Sequence, residues 1–228
     1  MSPQQSRNRR ARPFIVAIDG PAASGKGTLA RRLAEHFNLA HLDTGKLYRA
    51  TAHLVLAAGG NPADPTTAAA AARRVDPASL ADPALLTEAV AQASSVVAAI
   101  PEVRAALLDR QREFAAHPPP PYRGAVLDGR DIGTAVCPGA TVKLFVTATP
   151  EARAERRLRE LRQRGATVIY GDVLQDMKER DARDSERRVA PLAAAPDAVT
   201  IDTTGLDADQ VFELASEIIA RALAAHGR

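Results

Sequence analysis

The chain has 228 residues, of which 46% are hydrophobic and 25% charged, and this balance excludes wholesale disorder. Cys137 is the single cysteine, which excludes an internal disulfide framework and favours a reducing, cytoplasmic setting. No uncharged stretch approaches the roughly 20 residues needed to span a bilayer, and residues 1–13 lack the apolar core of a secretory signal. No membrane association is therefore expected.

The basic excess is concentrated at one end of the chain. The isoelectric point is about 9.3 and the net charge +3, values that could indicate a nucleic-acid-binding protein. Four arginines and no acid lie within residues 1–13, so 26 of the 30 basic residues remain against 27 acidic ones in the rest of the chain. The sequence predicts a disordered basic tail over 1–13 and one nearly neutral domain over 14–224.

The first half of this domain is predicted to begin with a buried strand over 14–18 and a helix whose apolar stripe consists of Leu29, Ala30, Leu33, Ala34 and Phe37. A strand over 40–43 and a helix around 47–57 follow. Residues 59–81 are rich in Ala, Pro and Gly, which predicts loops and short helical pieces of an insertion. Asp82-Pro83 predicts the start of a helix, since a capping side chain precedes proline in the first turn.

A second helix is predicted from Pro101, with Val103, Leu107 and Phe114 facing inward, and it ends at His117 before four prolines. The proline run 118–121 fits a stiff linker, with a docking peptide for a partner as the alternative.

The second half repeats an alternation of strands and helices. Strands are predicted over 125–128, 142–146 and 198–202. One charged helix begins at Thr149-Pro150 and ends near Gly165, and another covers about 173–187. Asp207 caps a final helix with an inward face of Val211, Leu214, Ile218 and Ile219. This alternation predicts an α/β fold with a parallel sheet covered on both faces.

The strongest motif lies between the first strand and the first helix. It consists of Gly20, Pro21, Ala22, Ala23, Ser24, Gly25, Lys26, Gly27 and Thr28. Glycines let backbone N–H groups surround a phosphate, the helix N-terminus adds partial positive charge, and Lys26 supplies a full charge, so these residues are predicted to bind ATP. The alternative is a glycine-rich turn that only caps a helix. No Asn-Lys pair occurs in the chain, which argues against a GTP-type switch.

One departure from this phosphate-binding pattern concerns the metal. Gly27 stands where Ser or Thr is usual, and Thr28 follows one place later. Magnesium is therefore expected to depend on phosphates and water, with Thr28 and Asp128 as candidate contacts.

Three further motifs place arginines beside strand ends and on a charged helix. They are D-T-G-x-x-Y-R over 43–49, L-D-G-R-D-I-G-T over 127–134 and E-R-D-x-R-D over 179–184. Together with the phosphate loop and the helical insertion, these motifs resemble the bacterial cytidylate kinase family, a branch of the nucleoside monophosphate kinases with P-loop NTPase architecture. The resemblance runs from Phe14 to the last helix.

The resemblance implies transfer of the γ-phosphate of ATP to CMP or dCMP with Mg²⁺, in pyrimidine nucleotide metabolism, by a monomer. It implies a three-layer sandwich with five parallel strands, a monophosphate-binding region over about 43–116 that contains a helical insert over about 60–116, and a mobile lid over about 153–172. The implied phosphate ligands are Arg49, Arg130 and Arg187, the ribose contacts Arg180 and Asp184, and the cytosine contacts Ser95, Arg104 and Asp131; Asp43, Thr44 and Tyr48 are further acceptor-site candidates.

General chemistry supports these assignments. Asp131 would accept from the cytosine N4 amino group, whereas uracil presents an acceptor there, and a mispaired buried contact costs about 1–3 kcal/mol. Lys26, Arg130, Arg187 and the lid residue Arg157, with Arg153 as an alternative, are the catalytic candidates, because phosphoryl transfer depends on positioning and charge stabilisation.

Each candidate also has a purely structural interpretation. The arginines of 180–187 alternate with acids and could form surface ion pairs, Asp43 could cap the next helix, and Tyr48 could belong to the core.

Two other functions compete with this prediction. One is a related kinase of a different small phosphate acceptor. The other is a nucleic-acid-binding ATPase or regulatory switch that uses the arginine tail as an electrostatic arm. Only 4% of the residues are aromatic and none is Trp, which argues against a base-stacking surface, so no nucleic-acid partner is expected.

Overall fold

The fold is given by a computed structural model that describes residues 12–226, so most of the predicted tail over 1–13 lies outside the described residues. In chain order the elements are β1 (Phe14–Asp19), α1 (Lys26–Phe37), β2 (Ala40–Asp43), α2 (Thr44–Ala57), α3 (Pro65–Arg73), α4 (Glu88–Val97), α5 (Pro101–Ala116), β3 (Gly124–Gly129), β4 (Val142–Thr147), α6 (Pro150–Gln163), α7 (Tyr170–Ser185), β5 (Val199–Asp202) and α8 (Ala208–His226). Short 3₁₀ turns cover Pro77–Ala81 and Pro83–Leu86, and a π-helical turn covers Ile132–Val136.

The five strands form one parallel sheet in the order β2-β3-β1-β4-β5. All carboxyl ends therefore meet at one edge, where ligands of open α/β sheets bind. The register pairs Asp43 with Asp128 and Asp19 with Gly129, so the last residues of β2 and β1 lie beside the last two residues of β3. The predicted α/β fold with a five-stranded parallel sheet is confirmed.

Alternation along β1 divides the core between the two faces of the sheet. Phe14, Val16 and Ile18 pack with α1 and α8 on one face, whereas Ala17 packs on the other face with α5 and the π-helical turn. Cys137 belongs to this second cluster and is buried. The result is a helix–sheet–helix sandwich of three layers. None of the helices in residues 12–226 is long and apolar enough to cross a membrane.

The helices between β2 and β3 build a separate hydrophobic cluster beside the sheet. It contains side chains of α2 to α5 and of the 3₁₀ turn Pro83–Leu86, among them Leu47, Val55, Leu85, Val97 and Leu107. Apolar side chains of the insertion are therefore buried against each other, and α2 joins this cluster to the edge strand β2.

Two local expectations are wrong. Asp82-Pro83 begins only the 3₁₀ turn Pro83–Leu86, because Thr87 is extended (φ −66°, ψ 152°) and the regular helix begins at Glu88. Leu214 is 47% exposed instead of inward, since the buried stripe of α8 consists of Val211, Ala215 and Ile219 at four-residue spacing. The predicted cap of α8 is present, because Asp207 Oδ1 accepts from the N–H groups of residues 209 and 210, both at 2.9 Å.

Candidate active site

The phosphate loop connects the end of β1 to the start of α1. Gly20 adopts φ +152°, and a Cβ atom there would lie 2.0 Å from the carbonyl oxygen of Val146, so only glycine fits. Gly25 has φ +89° and directly precedes the helix. Lys26 is buried at the first helical position, and its Nζ donates to the carbonyl of Pro21 at 3.2 Å. Burial and the nearby Arg130 lower the pKa of Lys26 to about 7. A bound polyphosphate would supply the negative charge that the buried ammonium lacks.

Two carboxylates meet at the edge of the sheet next to this loop. Asp43 is the last residue of β2, and it pairs with Asp128, the second-to-last residue of the neighbouring strand β3. His41 Nε2 lies 2.8 Å from Asp128 Oδ1, and Thr44 Oγ1 donates to the backbone carbonyl of Asp128 at 2.8 Å. Burial and the charge of Asp128 raise the pKa of Asp43. A Cβ atom on Gly27 would lie 3.6 Å from Asp128 Oδ2, so this oxygen faces the phosphate loop.

A cavity of about 840 Å³ opens beside these groups and collects much of the predicted site. Its lining includes predicted residues from the phosphate loop, the sheet edge, the insertion and the charged helices: Ala22, Ala23, Lys26, Gly27, Asp43, Arg49, Ser95, Asp128, Arg130, Arg157 and Arg180. Burial and the neighbouring Arg130 lower the pKa of Arg180 to about 10. Cations held so close together repel one another, which prepares the cavity for an anion.

A series of charged side chains runs from Arg130, which lines this cavity, to Asp184 and Arg187, which are buried behind it and do not line it. Arg130 Nε donates to Asp184 Oδ2 at 2.9 Å, and Arg187 Nη2 lies 3.5 Å from Asp184 Oδ1. Although burial opposes it, Arg130 and Arg187 hold the pKa of Asp184 below its usual range. Asp184 thus orients two predicted phosphate ligands at once. Arg49 is held separately, since its Nη1 donates to the carbonyl of Leu85 at 2.9 Å.

The predicted cytosine contacts form a second, more deeply buried group. Arg104 and Asp131 form a salt bridge through Nη2 and Oδ2, and each residue is less than 9% exposed. Arg104 Nη1 also donates to the carbonyl of Ala98 at 3.3 Å, and its guanidinium lies 5.7 Å from the centre of the Tyr48 ring. Burial raises the pKa of Asp131, an effect that Arg104 opposes. Ser95 lines the cavity, and its buried Oγ has no hydrogen-bond partner within residues 12–226.

The two lid arginine candidates have different environments. Arg157 lines the cavity and pairs with Glu88 of α4 and, at 2.9 Å, with Glu160. Arg153 is 3% exposed, pairs with Asp181 of α7 at 2.6 Å and donates to backbone carbonyls, one of them in the phosphate loop. Arg153 therefore joins α6 to α7 and to the loop, and Arg157 is the one that faces the cavity.

A second cavity of about 500 Å³ lies on the other side of the phosphate loop. Its lining includes Ser24, Gly25, Thr28, Arg156 and Thr203. Arg156 Nη1 donates to Thr203 Oγ1 at 2.8 Å. The loop thus has one cavity on each side, which suits a donor nucleotide and an acceptor that approach the same phosphate position. Thr28 and Asp128, the two predicted magnesium contacts, line different cavities.

The sequence profile of the family described as "Cytidylate kinase" matches residues 16–221. The chain belongs to the cytidylate kinase family. It is 62% identical over 207 residues to a cytidylate kinase of Rhodospirillum rubrum, and the aligned residues make up 91% of this chain and 97% of that relative. A cytidylate kinase of Paramagnetospirillum magneticum is 60% identical over 205 residues, 90% of this chain and 97% of the relative. The predicted family and the predicted class of enzyme, a nucleoside monophosphate kinase, are therefore confirmed.

Among solved structures, an uncharacterized protein from Eubacterium ventriosum covers 92% of this chain and 99% of its own, with a TM-score of 0.52 at 16% identity. That likeness shows the fold alone.

Three side chains of this candidate site were not predicted from the sequence. Asp19 is buried and accepts two backbone hydrogen bonds from the loop that follows β3. His41 orients Asp128, and Glu88 pairs with Arg157. Only Asp19 had a visible signal, since a carboxylate that ends a buried apolar strand directly before a phosphate loop requires partners. The pairs of His41 and Glu88 depend on tertiary contacts.

Proposed function

We propose that the chain transfers the γ-phosphoryl group of ATP to CMP or dCMP, with the larger cavity as the acceptor site. The observation that carries this proposal is the meeting of Lys26 with Arg49, Arg130 and Arg180 around one cavity, in a member of the cytidylate kinase family. A phosphate acceptor needs several fixed cations, and arginine suits this task because its planar fork donates two parallel hydrogen bonds.

The buried pair of Arg104 and Asp131 supports recognition of cytosine. A guanidinium offers donors to the O2 and N3 atoms of the base, and a carboxylate accepts from its N4 amino group. Ser95, with a buried Oγ that lacks a partner among the described residues, supplies a further polar contact. Uracil would place its O4 acceptor against Asp131 and would bind less well.

Magnesium fits the donor set at the sheet edge. Within residues 12–226 there is no cluster of three or more His, Cys, Asp or Glu side chains that could hold a metal by themselves. Asp43 and Asp128 are nevertheless adjacent, and their repulsion contributes to the raised pKa of Asp43, a strain that a divalent cation would relieve. Asp128 would hold magnesium through water, with Thr28 as a further candidate. Together with ATP, the ion supplies neutralisation of phosphate charge.

The remaining steps depend on the side chains of the chain. The acceptor phosphate is already ionised at neutral pH, so its oxygen attacks without a general base. Lys26, Arg130 and Arg187 compensate charge on the transferring group, and Arg157 contributes from the lid over about 153–172. Arg180 and Asp184 are proposed to hold the ribose. All these groups come from one chain, which supports activity as a monomer.

The decisive experiment is a coupled assay of ADP release with CMP, dCMP, UMP and AMP as acceptors at equal concentration. We expect the highest kcat/KM with CMP and dCMP, and at least about tenfold less with UMP, because of the mispaired contact at Asp131. Absent turnover with CMP, or equal turnover with all four acceptors, would contradict the proposal. ATP hydrolysis stimulated by nucleic acid and lost on deletion of residues 1–13 would favour the competing function.

A further inference from the structure

We propose that Asp19 is a positioning residue for the base-reading loop, because its carboxylate fixes the turn that carries Arg130 and Asp131 relative to the phosphate loop. This inference rests on the proposed function, since it concerns how the acceptor nucleotide is recognised. Asp19 is not itself expected to touch either nucleotide.

The geometry of this contact is specific. Asp19 is the last residue of β1 and is 3% exposed. Its Oδ1 accepts from the N–H of Ile132 and its Oδ2 from the N–H of Gly133, each at 2.7 Å. These N–H groups open the π-helical turn Ile132–Val136, whose later N–H groups bond to carbonyls of residues 131 and 132. One carboxylate therefore satisfies both donors at the start of the turn.

The position of Asp19 in the chain makes it more than a cap. It directly precedes Gly20, the first residue of the phosphate loop, and the turn that it holds directly follows Arg130 and Asp131. The register places Asp19 opposite Gly129 on the neighbouring strand. A single side chain thus joins the donor side of the site to the acceptor side. A displacement of a catalytic or binding group by about 1 Å can reduce catalysis roughly 100-fold. The contact of Asp19 with the turn is therefore expected to influence recognition of the acceptor nucleotide.

Only a carboxylate meets both requirements of this position. Burial raises the pKa of Asp19 to about 6, while the two N–H donors oppose this shift, so at pH 8 the group is ionised and both oxygens accept. An asparagine amide has one acceptor and one donor, and its NH₂ would face an N–H group. Asp19→Asn therefore removes one hydrogen bond and places two donors against each other, with almost no change in volume.

The test compares kinetics of wild-type enzyme and Asp19→Asn at pH 8 with CMP and UMP as acceptors. We expect the KM for CMP to rise about tenfold or more, the KM for ATP to change less than about threefold, and the CMP-to-UMP ratio of kcat/KM to fall about fivefold or more. A purely structural role would reduce the active fraction equally for both acceptors and leave the KM values and the ratio unchanged. That result would overturn the inference.

Two further variants complete the design. Asp76→Asn is the matched control, since Asp76 Oδ1 accepts from the N–H of Ala78 at 2.9 Å in a turn that does not line the cavity. The CMP-to-UMP ratio of kcat/KM of this variant should equal that of the wild type. If Asp19→Asn shows no cooperative melting transition and is therefore unfolded, the variant Gly133→Ala tests the inference in its place. Its Cβ would lie 3.4 Å from Asp19 Oδ2 and 3.1 Å from Lys143 Cδ, so the turn or these side chains must move slightly apart, and no charge is removed.

For Gly133→Ala we expect about a threefold fall in the CMP-to-UMP ratio, and an unchanged ratio in the folded variant would overturn the inference. Wild-type turnover alone tests the proposed function, whereas the comparison of variant with wild type tests Asp19.

Discussion

Replacement of Asp131 by asparagine should reduce the discrimination between CMP and UMP. The carboxylate presents only acceptors to the base, which suits the amino group of cytosine and repels the O4 atom of uracil. An asparagine amide can rotate to present either its oxygen or its NH₂ group, so it can serve both bases. Asp131→Asn should therefore keep activity with CMP at a reduced level and raise relative activity with UMP.

The magnitude follows from the burial of the pair. One mispaired buried contact costs about 1–3 kcal/mol, which corresponds to a fall of roughly five- to 150-fold in the CMP-to-UMP ratio of kcat/KM. Arg104 loses its charged partner inside the protein, and breaking a buried ion pair on one side costs roughly 3–5 kcal/mol of stability. The amide oxygen and the carbonyl of Ala98 can still accept from Arg104, so the lower limit, about 3 kcal/mol, is expected.

The assay measures initial rates with both acceptors, together with urea unfolding of each variant. Asp181→Asn is the matched control, because Asp181 also pairs with a buried arginine, Arg153, but is not a predicted contact of the base. The control should lose stability and keep the wild-type acceptor ratio. If folded Asp131→Asn kept the wild-type ratio as well, the assignment of Asp131 to base recognition would be refuted.

Four other substitutions test the phosphate loop and the two arginine candidates of α6. Lys26→Ala should abolish measurable turnover in the ADP-release assay, and it should not destabilise the free enzyme at pH 6. The pKa of Lys26 in the folded state is lowered to about 7, so below that pH the charged lysine opposes folding. As the pH rises from about 7 towards 10.5, this group should therefore increase the stability of the wild type. Gly20→Ala should prevent either folding or nucleotide binding, since its Cβ would lie 2.0 Å from the carbonyl oxygen of Val146. Nucleotide binding is measured by calorimetry, and a folded variant with the wild-type affinity for ATP would contradict this prediction. Arg157→Met should lower kcat at least about 100-fold with an unchanged melting temperature, because Arg157 faces the cavity. Arg153→Met should instead lower the melting temperature, because Arg153 joins α6 to α7. The reverse pattern would show that Arg153 is the catalytic arginine and Arg157 the structural one.

Much of the sheet and the phosphate loop could be predicted because local patterns determine them. The strands are short apolar runs that end in polar or small residues, and the spacing from Gly20 to Lys26 specifies a loop whose chemistry does not depend on distant contacts. The family resemblance added Arg49, Arg130 and Arg180, which line one cavity although Arg49 and Arg180 are more than 100 residues apart in the sequence.

The remaining features depend on tertiary structure. The pairing of Arg153 with Asp181 and of Arg157 with Glu88 decides which of these two α6 arginines faces the cavity, and periodicity along α6 cannot reveal it. Leu214 has the spacing of an inward residue but lies beyond the edge of the buried stripe of α8. The helix expected from Asp82 fails because Thr87 extends the chain before α4 begins.

The buried environment of Cys137 has a practical consequence for testing whether the predicted lid over about 153–172 moves. It is the single cysteine of the chain, and burial raises the pKa of its thiol to about 11, so almost no thiolate is present at neutral pH. Maleimide dyes should therefore not react with Cys137, and the residue need not be replaced before labelling. A cysteine pair introduced at exposed positions, such as Thr167 in the predicted lid and Ala99 in the insertion, could then be labelled selectively. Energy transfer between the two dyes in single molecules would show whether the predicted lid opens and closes.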